Sequence, residues 1–349
     1  MQQNPWDLPP PAGARPVRPP RTWRLALSSI GVAAFAAAGL LVPLPMFYEF
    51  VPGPLRDVGP LVQVTDAPTY SSEGKLYLTT VVVKTRVTAV EWVSTLFDPT
   101  KEVVLKQQFT GNGSLEEALE KATKDMEASQ EHAKVVVFTE LGLGGPEGNG
   151  VAVEGTAAGT PAARVLRPGD VIVEVDGRAA PTTCDVGRAI AAHRPGEPVV
   201  VKVKRDDGFR TFEVETVDDP EDPGSPLLGV VMSDRGYSFD EPVDVDFETG
   251  KIQGPSAGLM MALALYDRLT PDDLTGGRVI AGTGTIECDG GVGPIGGIEL
   301  KVAGAEARGA EYFLAPAAEA DEARAVADDL EVLPISTFSE ALGYLRELG

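Results

Sequence analysis

The sequence predicts an α+β protein in which an N-terminal transmembrane helix precedes two folded domains, and three observations lead to this prediction. Residues 25–47 form an uncharged, apolar run. Beyond them, runs of β-branched residues alternate with helical segments, separated by turns that contain Gly or Pro. An acidic, Pro-rich stretch, residues 218–226, is the linker that divides the outer part of the chain.

The apolar run has the length of a membrane span, because a transmembrane helix needs about 20 apolar residues to cross the hydrocarbon core. Arginines cluster before it in a Pro-rich tail, residues 1–24, so the positive-inside rule places this tail in the cytoplasm. Ala36-Ala37-Ala38 also resembles a signal-peptide cleavage site. The apolar residues continue past it, which favours an uncleaved, single-pass anchor at residues 25–47. Either interpretation places the bulk of the protein outside the cytoplasm.

The composition disfavours two kinds of chemistry. A formal net charge of −22 disfavours a nucleic-acid partner, because phosphate binding needs clustered Lys and Arg. Two cysteines and two histidines, none in a metal-binding spacing, predict no metal site, and we expect no cofactor. A disulfide between Cys184 and Cys288 is left open but disfavoured, because it would have to join two separate domains. His132 and His193 lack any supporting catalytic motif.

Residues 48–133 are interpreted as a spacer and an accessory strand and helix. Residues 75–87 are rich in β-branched side chains and predict a strand. Residues 114–132 predict a charged helix, since Ser114 and Glu117 have the spacing of a capping box.

Residues 134–217 predict a small domain dominated by strands. Strands are expected at 171–175, 198–204 and 212–216, with a helix at 185–193. The run GTPAARVLRPGDVIVEVDG resembles the bacterial type of PDZ domain. That resemblance implies a peptide ligand, often a C-terminus, added as a strand to a sheet edge. The resemblance leaves open the alternative that this domain binds no peptide and only positions the neighbouring domain.

Residues 227–349 form the second predicted domain, and a candidate nucleophile lies within it. Ser256 stands in the sequence QGPSAG, between a tight turn and an apolar helix expected at 259–269. Free amide groups of Ser256 and Ala257 would stabilise an oxyanion there. Gly254 and Gly258 would let a substrate carbonyl approach the backbone. Taken alone, the serine equally fits an ordinary helix N-cap.

A candidate base follows in the sequence GPIGGIELK. The glycine-rich corner leads into a helix that carries Lys301, whose helical neighbours are apolar or small. Burial would favour the neutral amine that a general base requires. The alternative is a solvent-facing lysine, the common state of this residue.

The GPSAG, TGTI and GPIGGIELK sequences together resemble the proteolytic domain of Lon peptidases. The resemblance implies a serine endopeptidase with Ser256 as nucleophile, Lys301 as general base and Thr283 supporting the lysine by a hydrogen bond. It also makes a homo-oligomer an expectation. One departure is Gln253, where many such enzymes have an acidic residue.

The whole chain resembles bacterial membrane-anchored proteins that join PDZ and Lon domains, sometimes called YlbL-like. No sequence fits the phosphate-binding loop of ATPases, so the expected peptidase is independent of ATP and cleaves unfolded or flexible proteins. The alternative is a catalytically silent PDZ scaffold that recruits envelope proteins.

Overall fold

The computed structural model describes residues 41–98, 100–111, 113–206, 208–220 and 224–348. In these ranges the strands are β1 (Phe47–Pro52), β2 (Arg56–Asp57), β3 (Val62–Val64), β4 (Lys75–Leu78), β5 (Val81–Lys84), β6 (Glu102–Leu105), β7 (Val151–Thr156), β8 (Val171–Val175), β9 (Arg178–Ala179), β10 (Pro198–Arg205), β11 (Gly208–Glu215), β12 (Val217–Asp218), β13 (Pro226–Leu227), β14 (Val230–Asp234), β15 (Val245–Phe247), β16 (Val279–Gly282), β17 (Tyr312–Pro316) and β18 (Glu331–Ile335). The α-helices are α1 (Ala89–Thr95), α2 (Lys106–Thr110), α3 (Leu115–Glu140), α4 (Ala162–Val165), α5 (Thr183–Ala191), α6 (Gly258–Leu269), α7 (Ile298–Glu306), α8 (Ala320–Val326) and α9 (Phe338–Leu348).

The predicted membrane anchor lies mostly outside the described residues, since residues 25–40 fall before them. None of the helices in the described ranges is both long and apolar enough to cross a bilayer. The predicted end of the anchor is wrong, because Pro43 already pairs with Thr88 and β1 begins at Phe47. Pro43 and Pro45 lack the amide hydrogen that a continuing helix would use.

A five-stranded sheet in the order β18-β17-β16-β4-β2 forms the centre of the second predicted domain. Its four neighbouring strands from β18 to β4 run parallel, and only β2 is antiparallel. Ile280 faces a core that includes residues of α3, α6 and α9, whereas Ala281 faces a core that includes residues of α7 and α8. The mixture of helices and strands was predicted; the mainly parallel sheet, covered on both faces, was not.

The region interpreted as accessory is part of this domain. The predicted strand at 75–87 divides into β4, which joins the central sheet, and β5, which joins a separate sheet in the order β5-β1-β6. Strand β3 pairs with β15. Helix α3 packs along α6, and its predicted capping box at Ser114 and Glu117 is confirmed. Residues before and after the PDZ-like segment therefore build one core.

The PDZ-like segment is inserted into that domain. Its sheet runs in the order β11-β10-β8-β7-β14, so it continues into β14, past the boundary predicted at residue 227. Its core consists of residues between Val151 and Met232. Backbone hydrogen bonds of 2.8 and 3.0 Å between Glu147 and Ser238 close the two ends of the insertion.

A disulfide joins Cys184 on α5 of the insertion to Cys288 in the loop after β16. The sequence analysis disfavoured this disulfide, but the structure contains it. The sequence argument failed because it treated the two units as side by side. The insertion instead brings α5 against this loop, where the side chain of Asp289 lies close to Gly187.

Candidate active site

Ser256 lies in a 3-10 turn, Pro255–Ala257, that leads directly into α6. The turn begins after Gly254, whose φ of 90° is a left-handed conformation that favours glycine. Ser256 is partly exposed, so a substrate could reach its side chain. Its amide is in the first turn, where no preceding carbonyl of the helix is placed to accept it.

Helix α3 fixes the turn from one side. The Gly254 amide donates to the Ala122 carbonyl at 2.9 Å. The Ser129 hydroxyl donates to the Pro255 carbonyl at 3.1 Å. The side-chain amide of Gln253 donates to Thr123 at 2.9 Å. Gln253 thus serves as an anchor of the loop, which explains a neutral side chain at this position.

Lys301 is a buried lysine. It lies on α7 and its residue is only 4% exposed. Burial lowers the pKa of its amine from 10.5 to about 8, while the negative charge of Glu319 acts in the opposite direction. The amine is therefore substantially neutral near pH 8, where an exposed lysine would be almost fully charged.

Thr283 connects Lys301 to the turn that carries Ser256. The Lys301 amine donates to the Thr283 hydroxyl at 3.0 Å, and that hydroxyl donates to the Ser256 carbonyl at 3.0 Å. The Gly284 amide donates to the same carbonyl at 2.9 Å. The structure thus brings Ser256, Thr283 and Lys301 together through the serine backbone. No hydrogen bond within the described residues joins the amine directly to the serine hydroxyl.

Gly258 differs from its predicted position at the substrate. It is buried at the first position of α6, and an added Cβ would lie 2.3 Å from the Ser129 hydroxyl and 2.9 Å from the Ile286 backbone nitrogen. Its small size therefore allows close packing of α6 on its neighbours. Its amide is occupied by the Pro255 carbonyl, and a donor role for the neighbouring Ala257 stays a prediction.

Two contributors were not found from the sequence. Ser129 belongs to the polar pattern of a charged helix, and nothing in that pattern singles it out. Glu319, near the lysine, lies in an alanine-rich run; its carboxylate also accepts from the Ile295 amide at 2.8 Å. In the part of the chain that the structure describes, no three His, Cys, Asp or Glu side chains converge to hold a metal.

Comparison with protein families agrees with this geometry. Residues 238–345 match the Lon protease (S16) C-terminal proteolytic domain, and residues 118–216 match the PDZ domain. The chain therefore contains a Lon-type proteolytic domain and a PDZ domain. In the structure, α3 falls mostly within the PDZ match but packs on α6 of the Lon-type domain, and the PDZ sheet is inserted after it.

Individual relatives match parts of the chain. It is 33% identical over 106 residues to Lon protease 2 of Bacillus subtilis, covering 30% of this chain and 18% of the relative. It is 40% identical over 116 residues to Lon protease 1 of Sorangium cellulosum, covering 32% and 14%. The chain thus spans less than a fifth of the length of these two relatives. The crystal structure of the PDZ domain of the SdrC-like protein from Listeria monocytogenes is 28% identical, with a TM-score of 0.23, covering 24% of this chain and 87% of that one.

Proposed function

We propose that this protein is a membrane-anchored serine endopeptidase that acts outside the cytoplasm, without ATP, on unfolded or flexible proteins. Ser256 is the nucleophile and Lys301 the general base. The observation that carries the proposal is the buried amine of Lys301, one threonine hydroxyl away from the backbone of Ser256. An exposed lysine is not desolvated, so its amine stays charged near neutral pH and cannot accept a proton.

The reaction is an acyl transfer through a covalent intermediate. A change of rotamer brings the neutral Lys301 amine to the Ser256 hydroxyl, since catalytic hydrogen bonds often tighten only when substrate binds. The amine takes the hydroxyl proton as the serine oxygen attacks the scissile carbonyl carbon. The Ser256 amide stabilises the oxyanion, with Ala257 proposed as second donor. The lysine ammonium then protonates the leaving amine, and water hydrolyses the acyl-enzyme by the same route.

The PDZ domain is proposed to select substrates or partners by their C-termini. Strand β14 forms an edge of the PDZ sheet, and α5 packs beside it. Val231 on this strand is 63% exposed. An extended peptide would add to such an edge.

The disulfide supports a location outside the cytoplasm, because disulfides persist mainly in oxidising compartments. The apolar run before Leu41 supports anchoring in the membrane. Independence from ATP is supported by the lack of a phosphate-binding loop sequence in this chain.

Cleavage of casein by the full-length protein in detergent tests the proposal. Ser256→Ala and Lys301→Met should each lower the rate by at least about a thousandfold, as loss of a nucleophile or its base does. Ser71→Ala, in the loop before β4, and Lys204→Met, on β10 of the PDZ sheet, change exposed residues outside the turn and its supports and should leave the rate unchanged. Equal rates in all five proteins would favour the silent PDZ scaffold.

A further inference from the structure

Helix α1 is amphipathic, and its apolar face points to solvent. Its polar side chains form hydrogen bonds within the helix itself. Thr88 and Glu91 form a capping box, and the Ser94 hydroxyl donates to the Glu91 carbonyl. No residue of the helix is buried. Its exposed apolar side chains and those of the first described residues form what we call the apolar patch: Leu41 67%, Val42 51%, Met46 65%, Val90 42%, Trp92 41%, Val93 37%, Leu96 68% and Phe97 84% exposed.

A surface of this kind needs a partner. Soluble proteins rarely expose contiguous apolar side chains in such number, and a helix normally turns its apolar face to its own core. Phe97, the most exposed member, lies one turn after Val93 on the same face of the segment. Among the residues that the structure describes, nothing covers this face.

The uncharged run that precedes the patch in sequence points to the partner. Leu41 directly follows the uncharged residues 25–40. The Ala89 amide at the start of α1 donates to the Val42 carbonyl at 3.1 Å, so α1 is bonded to the second residue after that run. At about 3.5 Å per residue, two residues place the start of α1 within about 7 Å of the end of the apolar run.

The composition of the patch agrees with a lipid surface. Trp and other large apolar side chains are typical of segments that lie in the membrane interface. The net charge of −22 opposes attraction to anionic lipids, so docking depends on apolar insertion and needs no anionic lipid.

We propose that the apolar patch docks α1 onto the outer surface of the same bilayer that holds the anchor. This inference rests on the membrane anchoring proposed above. Docking would orient the active site, since β1, which follows the patch, packs against α7, the helix that carries Lys301. An added Cβ at Gly304 of α7 would lie 3.6 Å from Pro52 of β1, which shows how closely the two elements meet. The protease would then face substrates close to the membrane.

Fluorescence of Trp92 tests the docking. The chain has three tryptophans, so the full-length variant Trp6→Phe/Trp23→Phe leaves Trp92 alone. It is reconstituted in phosphatidylcholine vesicles with and without bromine on the acyl chains. We expect brominated lipid to quench Trp92 at least about twofold and the bilayer to shield it from acrylamide. The matched control adds Trp92→Phe and Phe209→Trp, which moves the probe to an exposed site on the PDZ sheet.

The outcomes separate the docking from the anchoring. If the protein floats with vesicles but brominated lipid quenches Trp92 no more than the control, docking is wrong and anchoring stands. Acrylamide shielding without bromine quenching would mean that a second copy covers the patch, which also overturns docking. If the protein does not float with vesicles, both proposals fail. Leu96→Glu/Phe97→Glu, added to the single-Trp92 protein, should abolish bromine quenching while cleavage of a soluble peptide continues.

Discussion

Lys301 imposes a cost in stability that is linked to its proposed role. Its pKa falls from 10.5 when unfolded to about 8 when folded, because burial disfavours the charged amine. Between these two values the unfolded chain binds more protons than the folded protein. The free energy of unfolding therefore rises with pH across that window, and the full penalty applies below pH 8.

Replacing this lysine by methionine should make the protein more stable and inactive. Lys301→Met keeps the length of the side chain and removes the buried charge. We expect the free energy of unfolding at pH 7 to rise by about 2–3 kcal/mol, from a pKa difference of about 2.5 at 1.36 kcal/mol per unit less the lost hydrogen bond. Urea denaturation at several pH values measures it.

The gain in stability should shrink toward pH 10, because deprotonating the amine on folding costs less free energy as the pH approaches its unfolded pKa of 10.5. Lys121→Met, at an exposed position on α3, should show no such pH dependence. A Lys301→Met protein less stable than wild type at every pH would contradict the burial penalty.

Thr283 is expected to position the base. Thr283→Val keeps the shape of this fully buried side chain but removes the hydroxyl that receives Lys301 and donates to Ser256. We expect kcat to fall by about 10–100-fold and the alkaline rise of the pH–rate profile to shift, because the amine loses a partner. Thr283→Ser retains the hydroxyl and should restore most of both. A valine variant with an unchanged pH profile would leave Thr283 a purely structural role.

At this scale, the sequence identified the chemically distinctive residues and missed their supports. Ser256 and Lys301 stand in unusual glycine-rich surroundings, which a single sequence displays. Ser129 acts through a hydrogen bond across 126 positions in the chain, and no local pattern encodes such a contact. The hydrogen bonds that the Ser256 carbonyl accepts from Thr283 and Gly284 likewise depend on tertiary structure.

At the scale of elements, the close contact of α6 with its neighbours positions Ser256, the proposed nucleophile. Gly258→Ala would place a methyl group 2.3 Å from the Ser129 hydroxyl and 2.6 Å from the Ile286 side chain. The turn that carries Ser256 would have to move. We expect a loss of stability of about 1–3 kcal/mol and a loss of activity larger than that instability explains.

Gly343→Ala is the matched control, measured by the same urea denaturation and peptide assay. Gly343 lies in α9 with nothing within 4 Å of an added Cβ. It should gain about 0.5–1 kcal/mol from helix propensity and keep full activity. Equal behaviour of the two alanine variants would show that α6 does not depend on close packing at Gly258.

Elements with local signals were predicted well. The capping box at Ser114 marks the start of α3, and a nearly continuous apolar run marks α6. The strand predicted at 75–87 was one run in sequence, but its two halves join different sheets. Hydrophobic pattern alone does not specify which sheet a strand joins.

At the scale of the whole molecule, the inserted PDZ domain was the main feature that the sequence did not predict. The PDZ insertion begins after α3 and ends after β14. Backbone hydrogen bonds between Glu147 and Ser238 join its two ends. The sequence predicts a domain boundary where the composition changes, at residues 218–226. The true return follows a strand, β14, that no compositional shift marks.

The disulfide is expected to stabilise this arrangement. Cys184→Ala/Cys288→Ala removes a link between residues separated by 104 positions. We expect it to lower the free energy of unfolding by about 2–5 kcal/mol, because long loops gain most entropy when released. Urea denaturation with and without reductant measures this. Reductant should destabilise the wild type and leave the variant unchanged; a wild type insensitive to complete reduction would contradict this expectation.

The pairing of Ser256 with a neutral Lys301 is the central claim, and covalent labelling tests it most directly. A fluorophosphonate probe is reacted with the full-length protein at several pH values, and the modified residue is mapped by mass spectrometry. The account predicts a label on Ser256, formed at a rate that reaches half its maximum at about pH 8 and is lost in Lys301→Met. A label on another residue, or an equal rate on Ser256 in Lys301→Met, would contradict it.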